Sequence, residues 1–193
     1  DEFRELIEND EKLKSLLHEN DIVSEPWDKE EAWRDWEGGR RFIASVLHKD
    51  GSILDYGGAN GFLLRSLKEW SGHILDPYGY DINQKRIEEA KDLFPGQERH
   101  FVGPDDEERG VELPPNFDFV YWNVWDNCTF DEEEDREILR DLLTKTAKGG
   151  RCILGFYGPE EENKAKIAKL TQRGFRPTGV VGKSIYPVPF LTS

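Results

Sequence analysis

Methionine is absent from the 193 residues, cysteine occurs twice and histidine four times. Cys128 and Cys152 cannot build a disulfide framework, and neither stands in a CxxC or Cys/His spacing. His18, His48, His73 and His100 are scattered without metal-ligand spacing, so no metal site is expected. A reducing cytoplasm is the simplest setting for so few thiols. No signal peptide and no apolar run of transmembrane length are present, so no membrane partner is expected. The chain opens on Asp1, and an initiator residue is expected to precede it. Positive charge is scarce too: 26 basic against 40 acidic residues give a net charge of −14. Such a field repels phosphate backbones and anionic bilayers, which points away from nucleic acid; solubility is its plainer consequence.

What is present is alternation. Residues 1–19 carry Phe3, Leu6, Ile7, Leu13, Leu16 and Leu17 among charges, the pattern of an amphipathic helix with imperfect spacing. Ser24-Glu25-Pro26 reads as a loop feeding a second helical segment that runs from Lys29 to His48, interrupted at Gly38-Gly39. Residues 1–48 are therefore expected to form a helical extension, a lid or a brace, ahead of a domain spanning 49–193. Within that domain a first strand ends at Asp55 and a helix follows over 62–70. Further strands are expected over 77–81, 99–102, 117–122 and 151–157, separated by helices over 84–94 and 132–147 and little more than one helical turn after Glu107. Lys148-Gly149-Gly150 is expected to stop the helix that begins at Glu132. A further helix over 160–172 leads to two strands around Gly182-Lys183-Ser184, where Pro187 and Pro189 suggest an edge or an irregular end. Five strand–helix alternations and a closing hairpin imply a mostly parallel seven-stranded sheet in a Rossmann-like, three-layer α/β sandwich with a C-terminal antiparallel hairpin.

Ligands of such sheets bind beyond the carboxyl ends of the strands, where the strand order switches. Those ends are Asp55, Asp81, Asp105 (or Asp106), Asn123 and Tyr157. The stretch Ser52-Ile53-Leu54-Asp55-Tyr56-Gly57-Gly58-Ala59-Asn60-Gly61 joins the first strand to a helix start. Its glycines allow a ligand to approach the main chain, and the helix start offers free backbone N–H groups. The spacing lacks the G-x-G-x-x-G of dinucleotide dehydrogenases, and the acid that ends the next strand lies 26 residues on rather than about 20.

The loop instead resembles the D-x-G-x-G-x-G signature of class I S-adenosylmethionine-dependent methyltransferases, with Ala59 where the middle glycine is usual. Gly79-Tyr80-Asp81-Ile82 looks like that family's second motif, and Phe117-Asp118-Phe119-Val120 with Asn123 like its fourth. Leu142-Leu143 with Lys148-Gly149-Gly150-Arg151 looks like the approach to its fifth strand. The resemblance implies S-adenosylmethionine as cofactor. It also implies that Gly57, Gly58, Ala59 and Gly61 admit its methionine portion and ribose, and that Asp55 holds the loop or receives its ammonium, directly or through water. Asp81 would accept the ribose hydroxyls, Ile82 would pack on the adenine, Asp105 or Asp106 would receive its amino group, and Asn123 would stand where cofactor and acceptor meet.

Methyl transfer is an in-line displacement that positioning alone can promote, and no histidine is a compelling base, although His73 and His100 can reach the site by folding. Trp33, Trp36, Trp125 and Tyr157 are expected to line an acceptor pocket, with core packing as the plainer role of each. The net charge and the lack of an Asn/Asp-Pro-Pro-Tyr/Phe loop favour a small-molecule acceptor, no nucleic acid, and a monomer or homodimer. The alternatives are a non-catalytic binding or interaction module of the same fold, a protein methyltransferase and a nicotinamide-dependent oxidoreductase.

Overall fold

A computed structural model describes residues 2–20, 28–58 and 60–193. The chain opens with α1 (Glu2–Asn9) and α2 (Glu11–Asn20), where a single helix is expected from the sequence. Asp10 divides them: its carboxylate accepts the N–H groups of Lys12 and Leu13 at 2.9 and 3.2 Å, which starts a new helix. α3 (Lys29–Arg40) is capped by Asp28, runs through Gly38-Gly39, and tightens into a 3-10 turn over Arg41–Val46.

Strands and helices then alternate: β1 (Gly51–Tyr56), α4 (Phe62–Trp70), β2 (Leu75–Tyr80), α5 (Gln84–Leu93), β3 (Phe101–Val102), α6 (Pro104–Glu108), β4 (Phe117–Asn123), α7 (Glu133–Lys145), β5 (Thr146–Gly155) and α8 (Glu160–Gln172). β6 (Gly179–Gly182) and β7 (Pro187–Thr192) close the chain. α7 stops earlier than its apolar spacing suggests. Lys148-Gly149-Gly150 lies inside β5 rather than at a helix end, with Gly149 at φ +76° and a register shift between Phe117 and Phe119 on the partner strand. The sheet order is β3-β2-β1-β4-β5-β7-β6, parallel except for β7, which pairs antiparallel with both β5 and β6. β7 is not an edge strand, yet its prolines break no ladder: Pro187 and Pro189 face only β6, and pairing with β5 begins at Phe190.

Each face of the sheet buries its own cluster. Ile53, Phe119, Tyr121 and Ile153 share one with α1 to α5. Leu54, Val120, Trp122 and Leu154 share the other with Leu139, Leu142 and Leu170 of α7 and α8. The first cluster includes Phe3, whose ring meets Trp33 edge-on at 5.5 Å and Trp70 at 6.0 Å. Trp36 donates its indole N–H to Ser66 at 3.0 Å in the same interior. The N-terminal helices and the sheet therefore share one core. Truncating Phe3, which is 2% exposed, should reach the whole fold: Phe3→Ala is expected to lower stability by about 3–5 kcal/mol in urea unfolding, with one cooperative transition. A separate early transition, with the main midpoint unmoved, would show that the helices unfold apart from the sheet.

Candidate active site

β1 lies between β2 and β4 at the point where the strand order reverses, and its carboxyl end carries the glycine loop. Gly57, Gly58 and Gly61 take φ of +74°, +117° and +86°, conformations that L side chains rarely adopt. At Gly61 an added Cβ would also meet Phe94, Ala90 and Leu93 at 3.1–3.2 Å, so the start of α4 fits closely against α5. Asn60, buried and not singled out by sequence reading, accepts the Phe62 N–H at 3.1 Å and helps start α4. Ala59 lies outside the described residues.

Asp55 and Asp81 end adjacent strands on the same face, beside this loop. Gly57 donates its N–H to the Tyr80 carbonyl at 2.8 Å, and Gly58 donates its own to the Asp81 carboxylate. The other Asp81 oxygen accepts the Asn83 N–H at 2.7 Å. A carboxylate accepts through both of its oxygens, so Asp81 is of the kind that pairs with hydroxyl donors. Asp55 is 3% exposed, and its carboxyl is pushed up to about 7, first by burial and then by the charge of Asp81, with Arg86 pulling the other way. Arg86, on the first turn of α5, reaches the loop: an added Cβ at Gly58 would lie 3.8 Å from its guanidinium.

The remaining expected residues divide. Trp125 lies against Gly57, at 3.4 Å from where a Cβ would stand, and is 42% exposed. Asn123 is exposed at the end of β4, and Ile82 is 80% exposed beside Asp81. Asp105 is exposed at the start of α6. Asp106, the alternative, is already engaged: despite burial its carboxyl is held low by Lys91 at 2.6 Å, by Gln84 and by the Gly103 N–H.

Tyr157 joins the edge through a chain that sequence reading missed. The Tyr121 hydroxyl donates to the Tyr157 hydroxyl at 3.3 Å, and Tyr157 donates to the Gly39 carbonyl at 3.3 Å. The Arg40 guanidinium covers both the Tyr157 ring, at 4.6 Å, and the Trp36 ring, at 4.1 Å. Tyr121 is the register partner of Asp55, so α3 is tied to the strand ends next to the buried acid. Trp36 lies beneath this tie, 5% exposed. Trp33 is not brought here: its ring is 6.1 Å from that of Trp70, at the far end of α4 from the loop, about 12 Å along the helix axis. Neither histidine reaches the edge. His73 neighbours Asp50 before β1, and His100 stacks on Tyr78 at 4.0 Å while facing the Pro77 carbonyl.

The raised Asp55 acid makes folding pH-dependent with a definite sign. Its folded pKa of about 7 lies above the ordinary 3.8, so between those values the native state holds a proton that the unfolded chain has released. The stabilisation is complete below the lower value and is lost as pH rises through the upper one, with a slope of at most about 1.4 kcal/mol per pH unit. Urea unfolding between pH 5 and 8 should therefore show the wild type losing stability relative to Asp55→Asn. Parallel curves for the two proteins would place the ionisation elsewhere.

No family model matches the sequence, and a search of curated proteins gives no match. Solved structures do match. A protein from Pseudomonas syringae described as a methyltransferase superposes with a TM-score of 0.60 at 15% identity, over 83% of this chain and 99% of that one. The mitomycin 7-O-methyltransferase MmcR gives 0.59 at 14% identity, over 94% of this chain and 60% of the other. The fibrillarin pre-rRNA processing protein of Methanococcus jannaschii gives 0.50 at 15% identity, over 75% and 67%. One fold thus serves an O-methyltransferase of mitomycin and a pre-rRNA processing protein, which overturns the expectation of a small-molecule acceptor with nucleic acid excluded. The physical reason is range: charges beyond a Debye length of about 8–10 Å are screened, so a net charge summed over the surface does not decide what approaches one edge. Nor is any described helix long and apolar enough to cross a membrane. The chain has the fold of the class I S-adenosylmethionine-dependent methyltransferases.

Proposed function

We propose that the protein is an S-adenosylmethionine-dependent methyltransferase whose cofactor lies across the carboxyl ends of β1 and β2, with α1, α2 and α3 as a fixed brace. One observation carries this reading: the glycine loop and the Asp81 carboxylate meet at one place, joined by the Gly58 N–H, on the edge that also holds Asp55. The residues fit the group. Gly58 puts no side chain over the main chain, Asp81 presents a carboxylate of the kind that accepts a ribose diol, and Asp55 offers a carboxyl to an ammonium. When bound, the cofactor supplies an electrophilic methyl on a sulfonium.

The chain's own residues then bind and orient. Asp81 fixes the ribose, Gly57 and Gly58 admit the main body of the ligand, and Ile82 packs on one face of the base. Trp125 shields the loop from water at the transfer point, and Asn123 orients the acceptor. With no histidine at the edge, positioning carries the chemistry, an effect that can supply about 7–11 kcal/mol. Tyr121, Tyr157 and Arg40 hold the floor of the site against α3.

Calorimetry with S-adenosylhomocysteine should give saturable binding, weakened at least about tenfold by Asp81→Ala and less by Asp81→Asn. No heat and no thermal shift with either form of the cofactor would sink the assignment. Tritiated S-adenosylmethionine incubated with protein and RNA fractions reads out the acceptor; binding without label transfer would leave a cofactor-binding module.

The state of Asp55 adds a pH dependence. An ammonium beside it favours the ionised carboxylate, so binding releases a proton near pH 7 and tightens as pH rises from 6 to 8. Calorimetry in buffers of different ionisation enthalpy should detect that proton in the wild type and lose it in Asp55→Asn. Equal proton release by the two proteins would remove Asp55 from the ligand's ammonium.

A further inference from the structure

The connection between β3 and β4 is unlike the other crossovers. Its helix, α6, has five residues where α4, α5, α7 and α8 have 9, 10, 13 and 13. Beyond it the chain passes without regular structure through Leu113-Pro114-Pro115. Five residues cannot cover the face of the sheet on which α7 and α8 pack, and the result is a cavity of about 540 Å³ over β1 and β2. That volume is within the range of pockets that hold small ligands or single side chains.

Its floor is aromatic and its rim is charged. Tyr56 and Tyr80 project side by side from adjacent strands, half-buried, with ring centroids 5.6 Å apart and planes 10° from parallel. Glu107 and Glu112 come from the β3–β4 connection, Asp141 and Lys145 from α7. Lys145 is held by both Asp141 oxygens, at 3.0 and 2.9 Å, so its charge is answered within the wall. The rim keeps a surplus of two carboxylates. Both tyrosine hydroxyls sit above their ordinary range, chiefly through burial. Nearby charge adds to it, from Tyr80 and Asp141 at Tyr56 and from Glu107 and Asp81 at Tyr80, so the carboxylate field reaches the rings.

Stacked aromatic rings below and carboxylates at the mouth are complementary to one ligand chemistry and repel its opposite. We infer that this cavity is a second binding site, on the opposite face of the sheet from Asp55 and Asp81, and that it takes an organic cation: an alkylammonium or guanidinium group seated over Tyr56 and Tyr80 and answered by Glu107 and Glu112. The group arrives on a free amine or on a lysine or arginine side chain of another protein. The inference stands on the cavity alone and does not depend on the cofactor assignment.

NMR of the full chain, with ring signals of Tyr56 and Tyr80 assigned from Phe variants, tests it with three probes: choline, a lysine-containing tripeptide blocked at both ends, and propionate as the anionic control. Saturable shifts of both rings are expected with at least one cation and none with propionate, and Glu107→Gln with Glu112→Gln should weaken binding at least about fivefold. Choline alone sufficing identifies a free amine; a response confined to the tripeptide identifies a side chain. Added S-adenosylhomocysteine should leave the cation affinity within about twofold. The proposal is overturned by rings that stay unmoved up to about 50 mM of either cation, by equal response to propionate, by an unchanged affinity in the double glutamine variant, or by displacement with S-adenosylhomocysteine.

Discussion

Two carboxylates end neighbouring central strands, and most of what surrounds them follows from burying one of them, Asp55, beside the charge of the other. Like charges this close cannot both ionise cheaply in a buried setting. The chain resolves the conflict through its backbone. Asp81 is given main-chain donors, the N–H groups of Gly58 and Asn83. Asp55 sits deeper, below the loop, where burial and the Asp81 charge favour its proton. The glycines are what make this possible. A loop that turned within ordinary dihedrals could not aim the Gly58 amide back at the end of β2, and Gly57 and Gly58 both lie at positive φ.

That arrangement holds only if the strand ends do not move, and the N-terminal helices address this. α3 ends where the Arg40 guanidinium lies over Trp36 and Tyr157, and Tyr157 reaches the Gly39 carbonyl. Gly155 leaves the room that Tyr121 needs: an added Cβ there would collide with the Tyr121 hydroxyl. The buried acid thus stands on a base of two linked tyrosines, pinned from outside by an arginine and an aromatic ring. From the other direction, Phe3, Trp33 and Trp70 fix the far end of α4 against α1. Both ends of that helix are held, the loop end by Asn60 and the packing of Gly61 on α5.

How much of this could be read from the residues depends on whether the cause is local. The strand–glycine–helix passage from Ser52 to Trp70 is local: apolar alternation, a break and a helical period follow each other, and the elements stand where that pattern puts them. The topology follows from the count of alternations, because crossovers have a fixed hand. That Asp106 is engaged while Asp105 is exposed was not legible, since the partners of Asp106, Lys91 and Gln84, stand on another helix. Nor could spacing separate Trp33 from Trp36. They lie three residues apart on one helix, yet one faces the far end of α4 and the other its start. Arg40, Arg86 and Tyr121 carried no signal, because their importance comes entirely from what distant segments place beside them. The single helix expected over residues 1–19 failed for a small reason: one aspartate caps a new helix more cheaply than it sits inside an old one.

The short α6 has two consequences that pull in one direction. With only five residues it has little side chain to anchor itself, and Asp106 does that work through Lys91, Gln84 and the Gly103 N–H. A longer helix would distribute the anchoring and would also cover β1 and β2, closing the space over Tyr56 and Tyr80. Stiffness in the connection is recovered instead from Pro114 and Pro115, which restrict the backbone without filling volume. The segment therefore stays fixed while the sheet beneath it remains reachable. A tyrosine pair left half-buried on a sheet is a poor use of apolar surface if nothing ever rests on it, because each ring could bury far more area under a helix. Trp125 stands at the strand ends between the two faces: its indole lies against Gly57 at the loop, and its ring is 6.3 Å from that of Tyr56.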